Sequence, residues 1–96
     1  MKKSNEQTLG EAIRELINAY RMKGKLDEVK LIGSWEKVTG KLIMKYTRDI
    51  YIKNRKLYIR IDSPALKNEL MYSRSQMVDS LNREAGSTVI DEIVFL

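Results

Sequence analysis

The residues of this 96-residue chain that could do chemistry are cations and tyrosines, and they are concentrated near its middle. Residues 46–62 hold five Lys and Arg against two Asp, a local charge of +3. Rings among cations suit single-stranded nucleic acid, because the rings stack on bases while the cations meet phosphates. Our candidate nucleic-acid-binding residues, in this stretch and in the helix predicted to follow it, are Arg48, Tyr51, Lys53, Arg55, Lys56, Tyr58, Arg60, Lys67 and Arg74. The same mixture is common on exposed strands, where it blunts an open sheet edge, so both interpretations remain.

The residue types that most enzymes rely on are missing. The chain has no histidine and no cysteine, which excludes Ser-His and Cys-His nucleophiles, thiolate metal sites and disulfides. Its carboxylates are scattered beside Lys and Arg on predicted helix surfaces, and the sequence has no Gly-rich phosphate loop. We therefore expect a protein that is not an enzyme and that uses no cofactor, no metal and no small-molecule substrate.

The overall charge is mildly basic, with 18 Lys and Arg against 13 Asp and Glu, for a net charge of +5. This balance favours DNA, RNA or an acidic protein surface as a partner, and a solvated basic surface explains it equally well. The apolar runs are too short for a membrane span. No apolar segment follows the basic N-terminus as it would in a signal peptide. We expect a cytoplasmic protein with no membrane partner.

A chain of this length is enough for one domain. We place that domain at residues 8–96, after a polar segment at residues 1–7 that we expect to be flexible. A capping box that begins at Thr8 marks the start of the first helix. Apolar residues at helical spacing then predict a helix over residues 9–22 that stops near Gly24.

A second apolar series runs over residues 26–43 and is interrupted by Gly33 and Gly40. It predicts one or two further helices, with a bend or an end at Thr39-Gly40. Trp35 lies at helical spacing with the apolar residues of this series. We therefore expect its ring to be in the core, because a buried Trp dominates the packing of a small domain.

The apolar period then changes from helical to alternating. Ile50 and Ile52 share one face of a predicted strand over residues 46–53, and residues 57–62 alternate in the same way within a predicted strand over residues 56–62. Asn54-Arg55 between the two strands has the composition of a turn. This pattern predicts a β-hairpin. If its isoleucines and its leucine face the helices, the opposite face carries Tyr51, Lys53, Tyr58 and Arg60.

The last part of the chain predicts a helix and a strand. Ser63-Pro64 supplies an N-cap and a proline at the first helical position, and a long helix should follow and end near Ala85-Gly86. Met71 and Met77 are expected to fill the core. Residues 89–96 are rich in strand formers. The predicted fold is α+β, with helices on one face of a small three-stranded sheet in the order α-α-β-β-α-β.

Two motifs in this order resemble the DciA family, long catalogued as a domain of unknown function. The first is W-x-x-V-x-G, which begins at Trp35, and the second is a strand followed by D-S-x-x-L-x-x-E-L, which begins at Asp62. Together with the opening residues 9–13, the resemblance covers most of the chain. It implies a KH-like fold and a role in bacterial chromosome replication, in which the protein binds DNA and helps the replicative helicase to load.

The chain departs from that family in three ways. Tyr46 stands where many members have His before the first strand. Many members have a long flexible extension beside the domain, which we expect to be absent here. A G-x-x-G loop, the backbone clamp of true KH domains, is also missing. The first hypothesis is a non-enzymatic DNA-binding adaptor that places the helicase on single-stranded or forked DNA. A protein-only scaffold for an acidic partner and a KH-like RNA-binding module are the alternatives.

Overall fold

The computed structural model describes residues 8–96, so the predicted flexible segment at residues 1–7 lies outside the described residues. The elements in chain order are α1 (Leu9–Gly33), α2 (Trp35–Thr39), α3 (Lys41–Tyr46), β1 (Thr47–Lys53), β2 (Lys56–Ile61), α4 (Pro64–Met71), α5 (Arg74–Ala85) and β3 (Glu92–Phe95). The order confirms the predicted α+β class, with two of the predicted helical regions each divided into shorter helices. Within residues 8–96, none of the helices is long and apolar enough to cross a membrane.

Helix α1 begins where the sequence predicts and ends eleven residues later than predicted. The Thr8 hydroxyl accepts a hydrogen bond of 3.1 Å from the backbone of Glu11, whose carboxylate in turn accepts one from the Thr8 backbone. The predicted stop at Gly24 is wrong. An interior glycine costs a helix only about 1 kcal/mol, and the turns that follow are held in the core by the buried side chain of Leu31. The helix ends at Gly33, and the hydroxyl of the next residue, Ser34, donates to the Leu31 carbonyl at 2.7 Å.

Helices α2 and α3 confirm the predicted break at Thr39-Gly40. Gly40 has a φ of 97°, in the region that side chains disfavour, and there the chain turns between the two helices. Trp35, at the start of α2, is only 1% exposed, which confirms its prediction as a core residue.

The predicted β-hairpin is confirmed. Strands β1 and β2 pair antiparallel, with Ile50 opposite Ile59 and Tyr51 opposite Tyr58. The turn residues Asn54 and Arg55 both have positive φ values, of 52° and 63°. Positive φ at both central residues is the conformation of a type I′ turn, whose twist matches that of the strands.

The predicted long third helix is divided in two at Tyr72 and Ser73. Its start is as predicted, since the Ser63 hydroxyl accepts from the backbone of Leu66 at 3.3 Å. At the break, the Tyr72 and Ser73 amides bond three residues back rather than four, which tightens and ends the helix. The prediction that Met71 fills the core is therefore wrong: its side chain lies beside this break and is 39% exposed. Met77, in α5, is buried as predicted.

Strand β3 is shorter than the predicted strand over residues 89–96, because a side chain occupies part of that backbone. The Asn82 amide oxygen accepts from the backbone of Val89 and Ile90, at 2.9 and 3.1 Å. Its amide nitrogen donates to the Ile90 carbonyl at 2.9 Å. Strand β3 then pairs parallel to β2 and completes a mixed sheet of order β1-β2-β3.

The core lies between the helices and one face of this sheet, which we call the inner face. The largest fully buried side chains are Trp35, Leu31, Leu57, Ile59, Leu81, Ile90 and Ile93. The molecule is elongated, measuring 68 × 20 × 20 Å. A helix of 25 residues is about 37 Å long, and every residue from 8 to 26 is exposed. The first part of α1 therefore projects from the packed body.

Candidate nucleic-acid interface on the sheet

The face of the sheet that points away from the helices carries most of the predicted site. Side chains alternate between the two faces of a strand, and the buried Leu57, Ile59 and Ile93 define the inner face. The outer face is formed by Asp49, Tyr51, Lys53, Lys56, Tyr58, Arg60, Glu92 and Val94. Five of the nine candidate residues thus come together on one surface.

The two tyrosines of the outer face stack on each other across the hairpin. The ring centroids of Tyr51 and Tyr58 are 5.1 Å apart, and the ring planes differ by 12°. Tyr58 lies on the central strand, opposite Val94 on its other side, and is half-buried. Tyr51 lies on the edge strand and is 45% exposed. Its ring is therefore the more accessible stacking surface.

Each arginine of the hairpin is paired with a carboxylate. Arg60 bonds Asp49 across the two strands at 3.2 Å. Arg48, at the irregular start of β1, bonds Asp62 at 3.1 Å. Both pairs join partners that are more than half exposed. Such pairs stabilise a protein by little, because water screens them, and they can exchange partners.

Two carboxylates near the start of β3 reach back to the hairpin. Two nitrogens of Arg55, Nε and one Nη, donate to Asp91 at 2.9 Å, and Lys56 pairs with Glu92 at 3.6 Å. The Asp91 carboxylate raises the pKa of Arg55, chiefly through these hydrogen bonds, and the guanidinium lowers the pKa of Asp91 in the same way. The two carboxylates reduce the local balance from the +3 of residues 46–62 to +1.

Asp91 and Glu92 were not predicted from the sequence to be neighbours of the basic hairpin. Their pairing with it depends on the parallel register of β3 against β2, which sets Glu92 opposite Lys56. That register joins residues far apart in the chain. The signal in the sequence that could have indicated it is the acidic pair Asp91-Glu92, just before the last strand-forming residues. Within residues 8–96, no ion pair is formed by Lys53, which leaves it as the available cation on the outer face.

Two of the nine candidate residues lie elsewhere. Lys67 is on α4, which packs its apolar side against the core. Arg74 begins α5, where its Nε donates to the Met71 carbonyl at 3.2 Å. Its side chain lines a cavity of about 430 Å³ together with Asp79 and Asp91. Neither residue adds to the outer face.

No group of three or more His, Cys, Asp or Glu within residues 8–96 is placed to hold a metal ion. The outer face can support binding, through the accessible ring of Tyr51, the available cation of Lys53, and two cations, Lys56 and Arg60, that are held in exchangeable ion pairs.

Comparison with known proteins identifies the family. A UPF0232 protein of Corynebacterium glutamicum (strain R) is 32% identical over 61 residues, which is 64% of this chain and 34% of that protein's length. The chain thus matches about a third of that relative. No solved structure matches the chain. The family described as "Dna[CI] antecedent, DciA" matches residues 8–95, so the chain belongs to the DciA family, which is associated with helicase loading in DNA replication and is not a known class of enzyme.

Proposed function

We propose that this protein is a non-enzymatic DNA-binding adaptor that assists the loading of the replicative helicase in bacteria. The observation that carries the DNA half of the proposal is the stacked pair of Tyr51 and Tyr58 with cations on both sides of it. The family match supports the helicase half.

The arrangement suits a single strand better than a duplex. A base can stack on the exposed ring of Tyr51, which needs an unpaired base with a free face. The phosphates on either side can then meet Lys53 at one end of the face and Arg60 at the other. These contacts use the sugar-phosphate backbone and a ring face, so the proposed binding does not select a base sequence.

Phosphates must compete with the carboxylates already present. To bind phosphate, Arg60 would leave its ion pair with Asp49, and Lys56 would leave its ion pair with Glu92. Because these pairs are exposed and weak, the exchange costs little, but the local charge of +1 also supplies little attraction. We therefore propose modest affinity with a shallow salt dependence.

Fluorescence anisotropy with labelled single-stranded and forked oligonucleotides, at several salt concentrations, tests the DNA half. Lys53→Glu with Arg60→Glu should weaken binding to all sequences and flatten the salt slope, by roughly 0.7 for each phosphate that the variant no longer neutralises. Lys25→Glu with Lys41→Glu makes the same charge change away from the outer face and serves as the matched control. An equal loss of affinity in the control would mean that overall charge, and not this face, binds DNA.

The ring contribution is measured in the same assay. Tyr51→Ala should cost about 1–3 kcal/mol of binding with little change in salt slope, because stacking releases no counterions. Tyr51→Phe keeps the ring and should bind as the parent does. We expect a smaller effect for Tyr58→Ala, since that ring is covered by Tyr51 on one side.

The helicase half needs a pull-down with the cognate replicative helicase, with and without DNA. Retention of the helicase supports an adaptor role, and a chain that binds DNA while never retaining the helicase would contradict it.

A protein-only scaffold is the second candidate, and the acidic residues beside the hairpin favour it. Asp91 forms an ion pair with Arg55, and Glu92 forms one with Lys56. The basic surface expected from the sequence is therefore largely neutralised. The scaffold becomes the better account if the chain shows no salt-dependent DNA binding at low ionic strength and still retains the helicase without DNA.

A further inference from the structure

The projecting part of α1 carries an apolar stripe. Five large side chains lie at helical spacing within residues 9–20, and each is 44–79% exposed: Leu9, Ile13, Leu16, Ile17 and Tyr20. Scattered single apolar residues on a surface are normal, whereas a continuous stripe on one helix side marks an interaction surface. Leu31, further along the same side of the helix, is fully buried in the chain's own core.

The spacing of the stripe is that of a two-helix seam. Leu9, Ile13, Leu16 and Tyr20 follow one another at intervals of four, three and four residues, the a/d pattern of coiled coils. Gly10 and Ala12 lie beside this seam on either side, and small residues there let two backbones approach closely. A surface of this kind fits another helix with a matching seam.

The stripe matches itself in one direction. An antiparallel pairing that sets Leu9 opposite Tyr20 of a second copy also sets Ile13 opposite Leu16, and the two remaining positions repeat these pairs by symmetry. On one flank of the seam, the same register sets the large Ile17 beside the small Gly10 of the second copy, so that Ile17 fills the space between the helices. All four seam positions thus find apolar partners in a single two-fold arrangement.

Charge selects the same direction. Residues 9–16 contain Glu11, Arg14 and Glu15, a net charge of −1, whereas residues 17–25 contain three cations and no acid, a net charge of +3. Antiparallel pairing brings the negative segment of one copy beside the positive segment of the other. Parallel pairing would bring the two positive segments together.

We propose that residues 9–20 form an antiparallel helix pair with the same residues of a second copy of this chain. The packed bodies, which begin beyond residue 26, then lie at opposite ends of the pair and do not collide. The contact uses five large side chains from each copy, fewer than the 20–30 residues of a standard interface. The dimer is therefore weak and concentration-dependent. The proposal does not depend on the proposed function.

Sedimentation equilibrium of the full chain over a range of concentrations tests the association. The parent should move from a monomer of 11.2 kDa towards twice that mass, and Ile13→Glu with Leu16→Glu should remain monomeric. Both positions are exposed, so the variant should fold, and unchanged circular dichroism of the packed body checks this. The matched control is Arg14→Gln with Asn18→Glu, which makes the same charge change on the polar side of the helix and should dimerise as the parent does. A parent that is still monomeric at about 1 mM, or a seam variant that dimerises as the control does, overturns the proposal.

The register is tested with introduced cysteines, since the chain has none of its own. In the antiparallel pair, residue 9 lies about 16 Å along the axis from its own symmetry mate. Leu9→Cys alone and Tyr20→Cys alone should therefore not cross-link on oxidation, while a mixture of the two should. Cross-linking of each single variant with itself would indicate a parallel pair and overturn the arrangement. A dimer that does not cross-link in the mixture would indicate that the stripe docks on another part of the second copy, which also overturns it.

Discussion

The indole nitrogen of Trp35 donates a hydrogen bond of 2.9 Å to the hydroxyl of Thr47, twelve residues along the chain. The same hydroxyl donates to the carbonyl of Ile43 at 2.7 Å. One threonine thus connects the start of α2, the buried turn of α3 and the first residue of β1. It also satisfies the polar atom of a side chain that is otherwise surrounded by the core.

Thr47→Val should lower the free energy of unfolding by about 1–3 kcal/mol, because it leaves the indole N–H buried without a partner. Thr47→Ser keeps the hydroxyl and should cost less. Trp35→Ala should cost more than either, about 3–5 kcal/mol, since it also leaves a cavity. Urea unfolding followed by far-UV circular dichroism measures all three. A Trp35→Ala variant as stable as the parent would contradict the core assignment.

Asn82→Ala should destabilise the protein by about 2–4 kcal/mol, because it removes three hydrogen bonds to the backbone of Val89 and Ile90. Asn82→Asp keeps the oxygen that accepts from both amides and loses the donor to the Ile90 carbonyl, so it should cost less. Urea unfolding compares the two. A loss in Asn82→Asp as large as that in Asn82→Ala would mean that the two hydrogen bonds accepted by the side-chain oxygen do not stabilise the fold.

Gly24→Ala should increase stability or helix content, by about 0.5–1 kcal/mol of helix propensity. Apart from the adjacent residues and the backbone of the helix itself, no atom lies within 4 Å of a β-carbon built at Gly24, so the methyl group has room. Gly86→Ala is the matched comparison, because Gly86 ends α5 with a φ of 82°, and it should destabilise by about 1 kcal/mol. Circular dichroism and urea unfolding measure both. A loss of helix in Gly24→Ala would instead indicate that the helix ends at Gly24, as the sequence predicts.

Acid should weaken the fold through Asp27 and Asp91, whose pKa values lie below the ordinary 3.8. Lys23 and then Ser87 lower the pKa of Asp27, and Arg55 lowers that of Asp91, by hydrogen bonding to the ionised carboxylate. A carboxyl group with a lowered folded-state pKa stabilises the fold above its unfolded pKa, and that contribution is lost as the pH falls through the folded value. The urea midpoint should therefore fall between about pH 5 and pH 2, and fall less in Asp27→Asn and Asp91→Asn. Glu36→Gln, which removes an exposed carboxylate elsewhere, should keep the parent's pH dependence.

Local signals predicted most of the element starts and turns. The Thr8 capping box, the Ser63 cap and the Asn54-Arg55 turn each depend on residues within a few positions of one another, and all three are as expected. The continuation of α1 past Gly24 and the helix break at residues 72–73 were not predicted, because packing further along the chain decides whether a helix continues past a weak position.

The sequence predicts which side chains share a face of the hairpin, but it does not predict the net charge of the candidate site. Alternation alone places Tyr51 and Lys53 on one side of β1, and the structure agrees. Arg55 and Asp91, however, are 36 residues apart in the chain, and only the parallel pairing of β3 brings them together. The helical spacing of α1 showed an apolar stripe, and whether that stripe is covered depends on the fold as a whole.

Neutralising the acidic neighbours of the outer face should strengthen DNA binding. Asp49→Asn with Glu92→Gln frees Arg60 and Lys56 from their ion pairs and raises the local charge by two. Each cation that gains a phosphate should steepen the salt slope on single strands by roughly 0.7. The increase in affinity should therefore be largest at low salt and disappear at high salt.

The matched control for this pair is Glu36→Gln with Glu69→Gln, which changes the net charge equally at exposed positions on the helices. Long-range attraction alone predicts the same small increase in affinity in both double variants, because it depends on total charge and is screened by salt. Direct phosphate binding on the outer face predicts a steeper slope only in the first. Anisotropy titrations of both variants across the same salt series decide between the two, and equal slopes would mean that the cations beside Tyr51 and Tyr58 do not touch the DNA backbone.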